Sequence, residues 1–145
     1  MDIENKFKNF TGKMLFNYSL KKLNWFNIGG STKIYFKPNS LNELIEFLKL
    51  YKDNKNLFVI GAGSNILFND DIFDGAVIKL TKNFSRISLL NQNTIIAGSG
   101  VLDKTVSDFA MENSLGGFEF LSCIPGTIGG GIRMNSGCFG DEFKD

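Results

Sequence analysis

Histidine is absent from these 145 residues. Its absence excludes the Ser/His/Asp and Cys/His nucleophile pairs, the histidine proton shuttle and the usual zinc ligand set. A one-sided charge is also missing: 16 Lys and Arg stand against 15 Asp and Glu, for a net charge of +1. No basic field exists to hold nucleic acid through counterion release. Long apolar runs are lacking, so nothing reads as a membrane span. The start, Met1-Asp2-Ile3-Glu4-Asn5-Lys6, carries acids where a secretory signal carries bases. These features predict a soluble, cytoplasmic protein with no nucleic-acid or membrane partner. Cysteine is scarce too, and Cys123 and Cys138 read as small, buried, reduced residues, as that compartment favours, with a disulfide or a reactive thiol as the alternative reading. Hard chemistry in such a chain falls to a borrowed cofactor.

The pattern along the chain predicts two parts. Ser40-Leu41-Asn42-Glu43 is a capping-box signature, and Leu41, Leu44, Ile45, Leu48 and Tyr51 follow at helical spacing, predicting a helix over about 41–53. The β-rich run Lys33–Phe36 precedes it and the apolar run Leu57–Ile60 follows it, which makes a βαβ unit. Ala76-Val77-Ile78 adds a further strand to a small, largely parallel sheet, and this first part, 1–80, ends near Leu80. In the second part, 81–145, Arg86–Leu90 and Thr94–Ala97 flank the turn Asn91-Gln92-Asn93 as an antiparallel hairpin. A helix over Asp103–Asn113 follows, with Val106, Phe109 and Ala110 on one face and Gly116 just beyond its end.

Glycine is what the chain has in concentration. Ile124 to Gly140 holds six glycines and one proline in seventeen residues. Residues without a Cβ let backbone N–H groups close on a ligand, and successive N–H groups in turns cradle anions, so a phosphate-bearing cofactor is the first candidate. That stretch is the second glycine element in chain order; the first, Gly61-Ala62-Gly63-Ser64-Asn65-Ile66-Leu67, comes straight off a predicted strand. The dinucleotide fingerprint of doubly wound folds needs a third glycine where this chain has Ile66, so that reading fails. What remains is a tight turn whose N–H groups, with the Ser64 hydroxyl and the Asn65 amide, suit a pyrophosphate. The competing readings are an ordinary turn at Gly61–Asn65 and a connecting loop at Pro125–Gly131. Trp25-Phe26 before Gly29-Gly30 reads as a packed turn rather than a stacking platform. The acids Asp70, Asp71, Asp141, Glu142 and Asp145 read as solvated, and their spacing matches no metal loop.

In order, Ile28-Gly29-Gly30, Gly61–Leu67, Ile124–Gly130 and Asn135–Gly140 resemble the FAD-binding region of the UDP-N-acetylenolpyruvoylglucosamine reductases, also called UDP-N-acetylmuramate dehydrogenases. Asn24-Trp25 departs from the family's Thr pair, and Cys138-Phe139 stands where Ala-Tyr is common. The resemblance implies an α+β, PCMH-type FAD-binding fold, a small parallel βαβ subdomain followed by an incomplete antiparallel α+β subdomain. It implies noncovalent FAD, NADPH as hydride donor and a nucleotide-sugar substrate. Gly61, Ala62, Gly63, Ser64 and Asn65 would hold the pyrophosphate. Ile124, Gly126, Thr127, Gly129 and Gly130 would flank pyrophosphate and isoalloxazine, and Gly137 would allow close backbone approach. Family members run to roughly twice this length by domain-size arithmetic. The chain therefore reads as their N-terminal part without the substrate domain, and the catalytic residues are expected beyond Asp145. The alternatives are another FAD-linked oxidase of the same fold, a non-catalytic flavin- or nucleotide-binding module, and an interaction domain whose glycine loops are structural.

Overall fold

The computed structural model describes residues 7–51, 56–80 and 82–144. The chain divides into two compact units, one of Met1–Ile60 with Ile66–Asn83 and one of Gly61–Asn65 with Phe84–Asp145. The division thus falls a few residues after Leu80, and the first glycine element groups with the second unit.

The first unit is a four-stranded sheet in the order β1-β2-β4-β3, built from β1 (Lys13–Ser19), β2 (Ser31–Lys37), β3 (Leu57–Ile60) and β4 (Ile72–Lys79). Strands β2, β4 and β3 run parallel, and β1 joins β2 antiparallel, an edge strand the periodicity did not reveal. The central strands are apolar at consecutive positions because both faces are covered. Ile34, Phe36, Ala76 and Ile78 enter one cluster with Phe7 and Phe47, while Tyr35 and Val77 enter the other with Leu20, Leu23 and Ile60. Period-two alternation assigns each to its face. β3 is an edge strand, so Phe58 and Val59 stand exposed within its apolar run.

Helix α1 (Leu41–Leu50) packs on the first face, and the stripe it buries differs from the expected one. Phe47 is fully buried and stacks on Phe36 with ring centroids 4.6 Å apart, with Leu44, Leu50 and Tyr51 beside it. Leu41, Ile45 and Leu48 are exposed instead. Phe47 has the largest apolar body on the helix, and burying it turns the other stripe outward. The capping box forms: the Ser40 hydroxyl accepts from the Glu43 N–H at 3.1 Å. The Glu43 carboxylate reaches past Ser40 to the N–H groups of Asn39 at 2.6 Å, Gly12 at 2.8 Å and Thr11 at 2.5 Å. Burial raises the Glu43 pKa, and those donors outweigh it and hold the carboxyl below its ordinary value. The helix ends at Leu50, and the expected continuation over 52–53 lies outside the described residues.

The Trp25-Phe26 turn is not packed. Both rings are more than half exposed, and the turn is held by the buried Asn24, whose amide donates to Leu20 O at 3.2 Å and Ile28 O at 2.8 Å.

The second unit holds the hairpin β5 (Ile87–Asn91) and β6 (Thr94–Ala97), helix α2 (Asp103–Glu112), a 3-10 turn Glu119–Cys123, helix α3 (Ile128–Met134) and the ribbon β7 (Gly137–Cys138) with β8 (Asp141–Glu142). Its core is Val101, Val106, Phe120 and Leu121. Gly116 does not end α2. Ser114 takes the left-handed conformation at φ 57°, and the Leu115 N–H returns to Ala110 O at 2.9 Å.

Candidate functional site

Both glycine elements lie in the second unit and meet there. A Cβ built on Gly61 would collide with the Thr127 hydroxyl, so the first element can approach the second only at a glycine. Gly63 turns the chain at φ +80°, a conformation costly for a residue with a side chain, and is buried. Around it, Ala62 and Ser64 are half-buried and Asn65 is exposed. Among the described residues, no protein acceptor takes the N–H groups of Ala62, Gly63, Ser64 and Asn65, the Ser64 hydroxyl or the Asn65 amide. A half-buried turn with this many unengaged donors suits a ligand rich in anionic oxygens.

The second element is organised differently. Its expected loop is in large part a helix: Thr127 caps α3, its hydroxyl accepting from the Gly130 N–H at 3.3 Å and its carbonyl from the Gly131 N–H at 2.7 Å. The Ile128 N–H donates to Val101 O and the Gly129 N–H to Ser99 O, each at 2.9 Å. These N–H groups therefore satisfy the protein rather than an anion. Its glycines supply close packing. A Cβ on Gly129 would stand 3.0 Å from Ser99 Cβ, one on Gly126 would strike the Asp103 carboxylate, and one on Gly131 would strike the Phe143 ring. Gly130 has only the Thr127 hydroxyl near its missing Cβ, at 3.3 Å. Ile124 is half-buried against the core, with its N–H on Leu121 O at 3.2 Å.

Gly137 departs from expectation. Its missing Cβ makes room within the protein, where the substituent would stand 2.5 Å from Asp141 O and 2.7 Å from Glu142 Cγ. The close approach is that of β7 to β8. The acids expected to be solvated are partly engaged: Asp71 accepts from the Asn69 amide at 2.8 Å, and Glu142 accepts from the Asn135 amide and pairs with Lys144, both at 2.6 Å. Asp145 lies outside the described residues. The two cysteines are not the buried pair that compartment reasoning suggested. Cys123 is exposed and Cys138 half-buried.

Asp103 is a buried carboxylate beside the second element that sequence reasoning did not single out. It stands at the start of α2, where Leu102 occupies the cap position, and it is fully buried. Its N–H donates to Gly126 O at 3.2 Å, and among the described residues neither carboxylate oxygen has a hydrogen-bond partner. Burial pushes its pKa up to about 6. No local sequence signal marks it, because its burial depends on Gly126 closing over it.

A family model described as an FAD binding domain matches residues 32–145. A UDP-N-acetylenolpyruvoylglucosamine reductase of Pelagibacter ubique is 60% identical over 148 residues, which cover 100% of this chain and 49% of that protein. The protein of the same name from Rickettsia canadensis is 44% identical over 89% of this chain and 43% of its own length. The crystal structure of UDP-N-acetylenolpyruvylglucosamine reductase from Thermus caldophilus superposes with a TM-score of 0.69 at 26% identity, over 90% of this chain and 44% of that one. The chain spans about half the length of the curated relatives it matches. A family match over most of the chain, reinforced by two glycine elements that meet at Gly61 and Thr127, shows that the chain belongs to the FAD binding domain family.

Proposed function

We propose that this chain is the FAD-binding part of an NADPH-dependent reductase that converts UDP-N-acetylglucosamine enolpyruvate to UDP-N-acetylmuramate, a peptidoglycan-precursor step of the bacterial cytoplasm. The observation that carries the reading is the turn Ala62–Asn65, with its unengaged donors set beside a Thr127-capped glycine helix. The names and identities of the relatives support the substrate and the reaction.

Bound noncovalently, FAD supplies hydride transfer between NADPH and the enolpyruvyl double bond. The chain's own residues bind and orient. The N–H groups of Ala62, Gly63, Ser64 and Asn65 take pyrophosphate oxygens, with the Ser64 hydroxyl and Asn65 amide as further donors. Gly61 keeps that turn against Thr127, and the internal bonds of Ile128 and Gly129 fix the second element. Gly130, with the least protein against it of these glycines, is where a flat ring can approach backbone. Proton transfer and substrate contacts are assigned to no residue here.

The test is an FAD titration of the chain by flavin fluorescence, together with a chimera that places this chain in the matching region of the Pelagibacter relative. Saturable FAD binding by the chain and sugar-dependent NADPH oxidation by the chimera are expected. A folded chain that leaves flavin fluorescence unchanged at saturating FAD overturns the cofactor assignment. An FAD-loaded chimera that oxidises NADPH without regard to the enolpyruvyl sugar overturns the substrate.

A further inference from the structure

Cys123 and Cys138 have no part in the site described above, yet they bracket half of it. Cys123 closes the 3-10 turn Glu119–Cys123, Cys138 lies in β7, and these two elements pack on one another. Cys138 also rests on the cluster of Val101, Val106, Phe120 and Leu121. The neighbouring Cys138 thiol holds the Cys123 thiol above its ordinary pKa, and Cys123 Sγ donates to Phe120 O at 3.4 Å, on the same cluster against which Cys138 rests. Both are free, Cys123 exposed and Cys138 half-buried. Among the described residues no group of three or more His, Cys, Asp or Glu could hold a metal, so the pair is not part of a larger ligand set. Ile124 to Gly137, which carries five of the six glycines of that stretch and helix α3, lies between them in the chain.

We propose that Cys123 and Cys138 form a reversible intramolecular disulfide that ties the two ends of the second glycine element together, with a small disulfide of the glutathione type as oxidant. The exposed Cys123 loses its proton, and its thiolate attacks one sulfur of the small disulfide. One sulfur–sulfur bond breaks, one small thiol leaves and a mixed disulfide remains on Cys123. The Cys138 thiolate then attacks the Cys123 sulfur, forms the internal bond and expels the second small thiol. Two protein thiols are oxidised by two electrons, and one small disulfide is reduced to two thiols. Proximity favours the internal bond over a lasting adduct, and the half-buried position of Cys138 suits it to the resolving role. The bridge restricts the segment that caps α3 and so slows its opening. The consequence for flavin rests on the proposed FAD site, whereas the bridge itself does not.

Treatment of the chain with oxidised glutathione, followed by thiol titration and peptide mapping, tests the bridge without flavin. Free thiols should fall from two per chain to none, with one peptide pair linking Cys123 to Cys138 and a monomer mass lower by two hydrogens. Dithiothreitol should reverse the change. C138S should keep a stable glutathione adduct on Cys123, as it lacks the resolving partner, and C123S, which lacks the exposed attacking thiol, should take up glutathione more slowly. Glutathione retained on both cysteines of the wild type, or bridges between chains only, overturns the proposal. In the bridged form FAD release should slow severalfold, and an unchanged release rate from a bridged, FAD-loaded chain overturns the tying role. If neither redox form binds FAD while the internal link forms, the FAD assignment fails and the bridge stands.

Discussion

At Gly63 the backbone turns through φ +80° and the neighbouring N–H groups meet no acceptor among the described residues, whereas at Gly129 the N–H is already spent on Ser99 O and the Ser99 side chain stands against the missing Cβ. One element uses glycine to expose donors, and the other uses it to let protein pack on protein. Glycine density therefore marks close approach in general. The hydrogen-bond inventory separates approach to a ligand from approach to a neighbour.

That contrast can be pressed hardest at Asp103, which sits under Gly126 on the packing side. Its carboxyl is raised to about 6 by burial, so the folded state favours the proton. The associated stability is complete below the unfolded value near 3.8 and is lost as pH rises through about 6. Asp103→Asn removes that loss. At pH 8 the variant should be more stable than wild type by about 3 kcal/mol, at about 1.4 kcal/mol per pK unit. Urea unfolding at pH 4 and pH 8 measures it, and a difference between the two proteins that does not grow with pH contradicts the assignment.

A paired substitution sharpens the comparison next. Gly63→Asp puts a side chain at positive φ and an anion among the free donors, and should weaken FAD binding by about 30-fold, or ~2 kcal/mol. Gly129→Ala presses a methyl on Ser99 and should cost about 1–2 kcal/mol of stability, with the FAD affinity of the folded fraction preserved. Flavin titration beside thermal unfolding reads both. Equal losses of affinity would merge the two elements into one kind of site.

The smallest effect belongs to the first unit, which serves as a control. Glu43→Gln keeps the hydrogen-bonding shape and weakens three charge-assisted bonds, so a stability loss of about 1 kcal/mol is expected with FAD affinity unchanged. The Glu43 carboxyl lies below its ordinary value. Its stabilisation is therefore present above the unfolded pKa and disappears as pH falls through the folded one. The gap between wild type and variant should close in acid, which urea midpoints at pH 7 and pH 3 will reveal.

Much of the fold is legible in local pattern. Ile34-Tyr35-Phe36 and Ala76-Val77-Ile78 announce strands covered on both faces, Ser40–Glu43 announces the start of a helix, and Asn91–Asn93 announces a hairpin. The turn at Gly61–Asn65 was equally plain, since glycine at fixed offsets after a strand is a backbone signal. Strand β1 was not, because its sequence, KMLFNYS, lacks clean alternation and its pairing with β2 comes from distant residues. Helix α3 was hidden behind three consecutive glycines, which have poor helix propensity and are helical here under the Thr127 cap and packing against Ser99 and Phe143.

By itself the sequence determined that histidine chemistry is excluded and where the backbone turns at Gly61–Asn65, because missing histidine, balanced charge and glycine spacing are properties of residues and their neighbours. Only the tertiary structure decided which stripe of α1 is buried, that Asp103 lies beneath Gly126, that Cys123 and Cys138 stand on two elements packed together and that donors of the second element are already spent. The physical reason is the same in each case. Burial and hydrogen-bond satisfaction belong to pairs of residues far apart in the chain, and a local pattern carries no information about which partner arrives.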